Sequence, residues 1–178
     1  MPTPRGMAVS IPIVLPWLLE PADLAALEIP ERLASTTSEP VFLLCSSRKH
    51  PKRFLFPKGG IEKDEDAEAA AIREGWEEAG YRGISLQALG EPVADARPRK
   101  HAPEHETTPR AIYHFYLVRV TSLSKDWPER HERQRKWCSA SEVVDLTSWK
   151  VEVEKAMACM PKDKAILEKL VASHFPST

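Results

Sequence analysis

No stretch of this chain reaches the ~18 consecutive apolar residues of a membrane span, and none pairs a basic start with a long apolar run and a small-residue cleavage site. The apolar segment Ile11–Leu19 carries Pro12 and Pro16, and reads as a strand followed by a turn. Cysteine is scarce. Cys45, Cys138 and Cys159 are odd in number and far apart, with no C-x-x-C pair, which leaves neither a disulfide framework nor a thiolate metal motif. A reduced, intracellular setting is expected: the cytoplasm, with the nucleus also open. The net charge of −1 removes any argument from bulk charge. There is no internal repeat, no low-complexity tract, no visible Ser, Cys or His nucleophile beside a base, and no aromatic RNA-binding motif.

What is present is an ordinary globular composition, 42% hydrophobic and 29% charged over 178 residues. That length suits one domain around one core, placed at residues 7–175. The charges are segregated. Arg48, Lys49, Lys52, Arg53 and Lys58 form one basic run; Arg97, Arg99 and Lys100 a second; Arg130, Arg133, Arg135 and Lys136 a third.

Residues 8–14 read as a first strand, with Pro12 implying an edge or a bulge. Residues 16–39 are punctuated by proline and only weakly helical, an inserted excursion between strands. Strands are expected at 40–46, at 53–56, across 84–97, at 111–120 and near 135–138. Between them lies a helix that Asp64 or Asp66 can cap and that Gly80 can stop. Ser139 and Glu142 have capping-box spacing and open a helix over about 141–158; a last amphipathic helix fits 162–174. Strands and helices mix along one chain, so the fold class is α/β, a mixed sheet sandwiched between helices.

The chemistry concentrates in PKGGIEKDEDAEAAAIREGWEEAG, residues 57–80. On a helical wheel with Glu74 at zero, Glu78 falls ~40° to one side and Glu77 ~60° to the other. Three carboxylates on one face repel, each pair costing a few tenths of a kcal/mol. A run of acids is ordinarily a solvated face; a hard divalent cation gives it a purpose. Mg²⁺ or Mn²⁺ prefers oxygen ligands and shares them with phosphate. The wheel sets Ala69, Ile72, Trp76 and Ala79 opposite, facing a core, with Ala67, Ala70 and Ala71 flanking the acids. Gly59-Gly60 reads as a turn that lets backbone approach the site.

Gly59, Glu65, Arg73, Glu74, Glu77, Glu78 and Gly80, followed by Tyr81, resemble the Nudix box, G-x5-E-x7-R-E-U-x-E-E-x-G-U, where U is a bulky apolar residue. Chance agreement at seven specified positions is on the order of one in a million. The resemblance implies the Nudix α/β/α sandwich and hydrolysis of pyrophosphate bonds. It implies Glu74 and Glu78 as metal ligands with Glu77 assisting, Gly59 offering its carbonyl, and Arg73 orienting the carboxylates through Glu65. The catalytic group is thus Glu65, Arg73, Glu77 and Glu78, with Glu77 or Glu78 receiving the proton of the attacking water. Gly75 departs from the pattern. It stands where a bulky side chain is expected, and Trp76 or a neighbouring strand should fill the space.

CSSRKHPKRFLFPKGG and DWPERHERQRKW are similar to segments of the diphosphoinositol and diadenosine polyphosphate phosphohydrolase branch. That implies a polyphosphorylated small molecule as partner, inorganic polyphosphate included, a monomer, and no membrane or nucleic-acid partner. Arg48, Lys49, Lys58, Arg110, Arg133 and Arg135, with the Gly59-Gly60 backbone, are the candidate substrate contacts, since guanidinium forks bind phosphate bidentately. A nucleoside substrate needs an aromatic shelf instead, for which Trp127 and Trp137 are candidates although packing roles suit them as well. Cys45 is expected to be buried. His101 and His105, with Glu104 and Glu106, imitate a zinc site but lack a third ligand at diagnostic spacing. Two alternatives stand beside the main reading: a Nudix pyrophosphatase of another nucleotide (a nucleoside triphosphate, a sugar nucleotide or an RNA cap), and a catalytically silent module that binds phosphorylated ligands.

Overall fold

The structure, a computed structural model, describes residues 3–104 and 107–174. Its strands are β1 (Arg5–Val14), β2 (Val41–Ser46), β3 (Phe54–Leu55), β4 (Lys58–Gly60), β5 (Tyr81–Ala88), β6 (Val93–Asp95), β7 (Ala111–Leu123) and β8 (Arg135–Cys138). Its helices are α1 (Pro21–Ala26), α2 (Glu31–Ala34), α3 (Ala67–Ala79), α4 (Ala140–Thr147), α5 (Val151–Ala158) and α6 (Lys164–His174).

The strands form one mixed sheet with the order β3-β2-β1-β7-β5, on which β4 pairs with β1, β6 with β7 and β8 with β2. The long β1–β7 pairing is parallel, from Arg5 opposite Ala111 to Ile13 opposite Arg119. Side chains alternate across the sheet. Val9, Ile11 and Ile13 enter a core with Val143, Val153, Ala156, Leu167 and Val171, from α4, α5 and α6. The other face packs Leu43, Cys45, Val118 and Val120 with Leu27, Leu33 and Ala79 of the inserted segment and α3. Helices therefore cover both faces, as the α/β/α expectation requires.

Several expectations need correction. Pro12 lies in a central strand, not at an edge or a bulge. On one side β1 keeps its register with β7. On the other, Ser10 N–H bonds Pro57 O at 2.9 Å, and pairing with β2 begins only at Ile13. By alternation the missing N–H of Pro12 faces the gap between those two contacts, where no ladder bond is lost. Gly59-Gly60 is not a turn but part of β4, with Gly59 opposite Ala8 and Gly60 opposite Met7. The helix expected over 141–158 is two helices. The break at Ser148–Lys150 is held by the Trp149 indole, which donates to Leu146 O at 3.0 Å and Phe54 O at 3.3 Å. The Ser139–Glu142 capping box is present.

Candidate active site

Helix α3 begins at Asp66, whose side chain accepts from Ala69 N–H at 2.8 Å, and ends at Gly80, left-handed at φ 66°. Its buried face follows the wheel only in part: Ala79 is buried and Ile72 packs against the same core, as expected, but the face also takes in two of the acids. Ala70, Ala71, Glu74, Gly75, Glu78 and Ala79 are buried, Ala69 is exposed, and Ile72 and Trp76 are half-buried. Fully buried Ala70 and Ala71 pack on Ala8 of β1, and such small side chains let the helix lie close to the sheet. Trp76 stays at the rim, where the Arg82 guanidinium stacks 4.2 Å from its ring centroid. The carboxylate stripe is thus turned inward, towards β4 and the sheet.

Arg73 is the hub. It donates to Glu65 at 2.8 and 3.0 Å, Glu74 at 2.7 Å, Glu77 at 3.1 Å and Gly60 O at 2.9 Å. Glu65 holds its guanidinium above its ordinary pKa, while Arg73 in turn lowers that of Glu65. The Glu74 carboxylate lies against Gly59 so closely that a Cβ there would collide with it. Glu78 is held on both oxygens: Oε1 by Arg133, and Oε2 by Lys58 N–H at 3.1 Å and the Cys45 thiol at 3.7 Å. Burial pushes Glu78 up to about 7, against the Arg133 charge and the Lys58 N–H, with Glu74 and Glu129 adding to the rise. Burial also raises Glu74, opposed by Arg73. Cys45 is fully buried, as expected.

As the side chains stand, no group of three His, Cys, Asp or Glu converges on one point among the described residues. Arginines hold the carboxylates instead. The donor set still fits a hard dication: every donor is oxygen, two of the acids are desolvated, and the absent Gly59 side chain opens a cradle for Glu74. His105 and Glu106 of the candidate zinc set lie outside the described residues.

Of the basic residues, Arg133 is brought to the carboxylate helix and Arg48 to the loop that docks on it. Arg133 pairs with Glu78 and Glu129, and Arg48 with Glu129 and, at 2.6 Å, Glu132. Lys58 touches Glu78 through its backbone, Lys49 is exposed nearby in sequence, and exposed Arg110 sits beside Asp95, whose carbonyl accepts its N–H at 2.8 Å. Arg135 is committed elsewhere. It donates to Ala79 O at 3.2 Å, Ser124 O at 2.8 Å and Glu28 at 3.0 Å, and stacks on Trp127 at 4.4 Å. Trp137 donates from its buried indole to Leu27 O at 2.8 Å. Both tryptophans serve packing.

Sequence reasoning missed Glu129. Its N–H bonds Glu77 O at 3.0 Å, which fastens the loop after β7 to the end of α3, and its carboxylate bridges Arg48 and Arg133. The available signal was its position four residues before Arg133.

The site is a buried, oxygen-rich helix face behind a glycine strand, bordered by arginines and set on a mixed sheet, with a donor set of the kind a hard dication accepts. The NUDIX domain profile matches residues 33–158, and the chain belongs to the Nudix family. It is 39% identical to Nudix hydrolase 21, chloroplastic, of Arabidopsis thaliana over 116 residues, 64% of this chain and 54% of that one. It is 30% identical over 138 residues to human diphosphoinositol polyphosphate phosphohydrolase 3-alpha, 76% of this chain and 71% of that one. The chain spans about half the length of the plant relatives it matches. A C. elegans Ap4A hydrolase binary complex shares the fold, with a TM-score of 0.56 and 19% identity over 93% of this chain and 98% of that one.

Proposed function

We propose that this chain is a divalent-cation-dependent phosphohydrolase that cleaves pyrophosphate bonds by water attack on phosphorus, with diphosphoinositol polyphosphates as leading substrates and diadenosine polyphosphates next. The observation that carries this is the inward carboxylate stripe: Glu74 cradled by Gly59, Glu78 buried, and both ordered by a fixed arginine frame. Glu74 and Glu78 would hold Mg²⁺ or Mn²⁺. Bound there, the ion supplies charge neutralisation of the phosphate oxygens and a lowered pKa for the attacking water.

The chain's own groups divide the remaining work. Arg73 keeps Glu65, Glu74 and Glu77 in register with the Gly60 carbonyl. Glu77 is the proton acceptor left open to water, because Glu74 and Glu78 are committed to the ion and its side chain is 38% exposed against 11% for Glu74 and 8% for Glu78. Arg48 and Arg133 meet the phosphates. The use of Trp127 and Trp137 in packing favours a phosphate-rich ring over a nucleoside, since neither is left as a shelf for a base. The name of the human relative points the same way.

The test is a substrate panel with purified chain and Mg²⁺ or Mn²⁺: a diphosphoinositol polyphosphate, diadenosine tetraphosphate, a sugar nucleotide and capped RNA, scored for released products. Fastest turnover of the inositol pyrophosphate is expected, and its loss in a folded Glu78→Gln variant. Undiminished metal-dependent turnover in that variant would remove the proposal. Tight binding with no product from any member would instead establish a silent phospho-ligand module.

A further inference from the structure

Glu78 is expected to bind a dication, yet in this structure a guanidinium already neutralises it. Arg133 is nearly buried, its side chain 9% exposed, and it spends its donors on three acceptors: Glu78 Oε1, Glu129 Oε2 and, at 2.8 Å, Ser46 O. The two oxygens of Glu78 differ in what holds them. Oε2 faces a backbone N–H of β4 and a buried thiol of β2, neither of which can leave without moving the sheet. Oε1 faces only the end of one long side chain among its recorded partners. An ion that takes Glu78 therefore takes Oε1, and a guanidinium and a dication repel if they share it.

The loop that carries Arg133 is fixed independently. Glu129 N–H bonds Glu77 O at 3.0 Å, and Arg133 N–H bonds Glu129 O at 3.0 Å. The Glu129 carboxylate would keep the guanidinium beside the site after it left Glu78. Arg48 shares that same carboxylate. Two arginines thus converge on one acid next to the place where metal-held phosphate would sit.

We infer that Arg133 is a resident counter-cation: it occupies Glu78 in the metal-free chain, yields Oε1 to the arriving dication, and, tethered by Glu129, turns to a substrate phosphate. This deepens the proposed phosphohydrolase reading and rests on it. Metal loading and phosphate capture become linked events, each favouring the other. A purely structural salt bridge between loop and helix predicts the opposite sign on metal binding, because its removal would release Glu78 from its orientation.

The experiment is calorimetric titration of the full chain with Mn²⁺ alone, then with Mn²⁺ in the presence of methylenediphosphonate, with thermal melting as the folding control. Arg133→Gln should bind Mn²⁺ about tenfold tighter than the wild type when no phosphonate is present. Arg133→Lys, which keeps the charge, should stay near wild type. The strengthening of Mn²⁺ binding by the diphosphonate should shrink in Arg133→Gln. Arg133→Met, which keeps the aliphatic bulk in the buried slot, should repeat the tightening and serves if Arg133→Gln melts early. Equal or weaker Mn²⁺ binding in a folded Gln or Met variant overturns the inference and leaves the phosphohydrolase reading standing. Failure of the wild type and the variants alike to bind Mn²⁺ overturns both.

Discussion

Replacing Gly75 with alanine should destabilise this protein, although helix propensity alone predicts the reverse. In an exposed helix the change gains ~1 kcal/mol. Here Gly75 is buried, and an added Cβ would lie 3.0 Å from Tyr81 Cε1 and still closer to its Cζ and Oη. Tyr81 is 1% exposed, and its hydroxyl bonds that of fully buried Ser10. The ring cannot retreat without moving β5 or breaking that bond. Overpacking costs ~1–3 kcal/mol, and a buried hydroxyl left unpaired ~1–3 kcal/mol. Set against the propensity gain, the net loss is about 1–5 kcal/mol, or roughly 2–20 °C in melting temperature for a chain of this size. Tyr81→Leu should also destabilise on its own, by leaving Ser10 unpaired and a gap beside Gly75. Together the two changes should cost less than their sum, with a coupling of ~1–3 kcal/mol, because leucine vacates the space the new methyl needs. Urea unfolding of the four proteins measures the cycle. A neutral or stabilising Gly75→Ala, or strict additivity of the pair, would refute the claim that Tyr81 fills the place left by the missing motif side chain.

Other perturbations have equally definite signs. Gly59→Ala should drive the Glu74 carboxylate out of its cradle and lower metal-dependent turnover by roughly 10²-fold, a cost typical of ~1 Å misplacement; steady-state kinetics with a Mn²⁺ titration would show both effects. Arg73→Lys keeps the charge but not the fork, so it should lose about 2 kcal/mol in chemical denaturation and weaken Mn²⁺ binding, since one ammonium cannot serve Glu65, Glu74, Glu77 and the Gly60 carbonyl. The hydrogen bonds from Arg97 hold Asp95 below its usual carboxylate range, so its contribution is present above the unfolded pKa of about 4 and is lost as pH falls below that. Asp95→Asn should accordingly destabilise the protein by ~1–3 kcal/mol at pH 7 and by less at pH 3, and identical losses at both would contradict the assignment.

The site was more legible than its orientation. Glycine and acid spacing placed α3, its Gly80 stop and the Glu65–Arg73 pair, because these follow from contacts within one short segment. The wheel put the acids on the face away from the core, since buried carboxylates carry a desolvation cost that no local pattern offsets. The offset comes from Lys58 N–H, Arg133 and the Gly59 backbone, and the partners on β4 and the later loop are joined to α3 only by the fold. Arg135 and Arg133 stand two residues apart with the same chemistry. One closes the end of α3 and the other meets Glu78, a difference decided by where the loop before β8 docks, since Arg133 lies on that loop and Arg135 opens the strand. Glu129 escaped notice because its function exists only when Arg48 and Arg133 stand on either side of it.

The parallel seam at the middle of the sheet carries a cost in time. Arg5 pairs with Ala111, 106 positions later, and α3 rests on the same first strand through Ala8. At ~5–20 residues per second of synthesis, β1 waits on the order of 5–20 s with its apolar rows uncovered before its long partner exists. Non-local pairing of this kind also slows refolding from denaturant. The carboxylate helix α3 is synthesised early but seated late, so newly made chains should pass through a sticky, inactive interval in which chaperone capacity sets the yield.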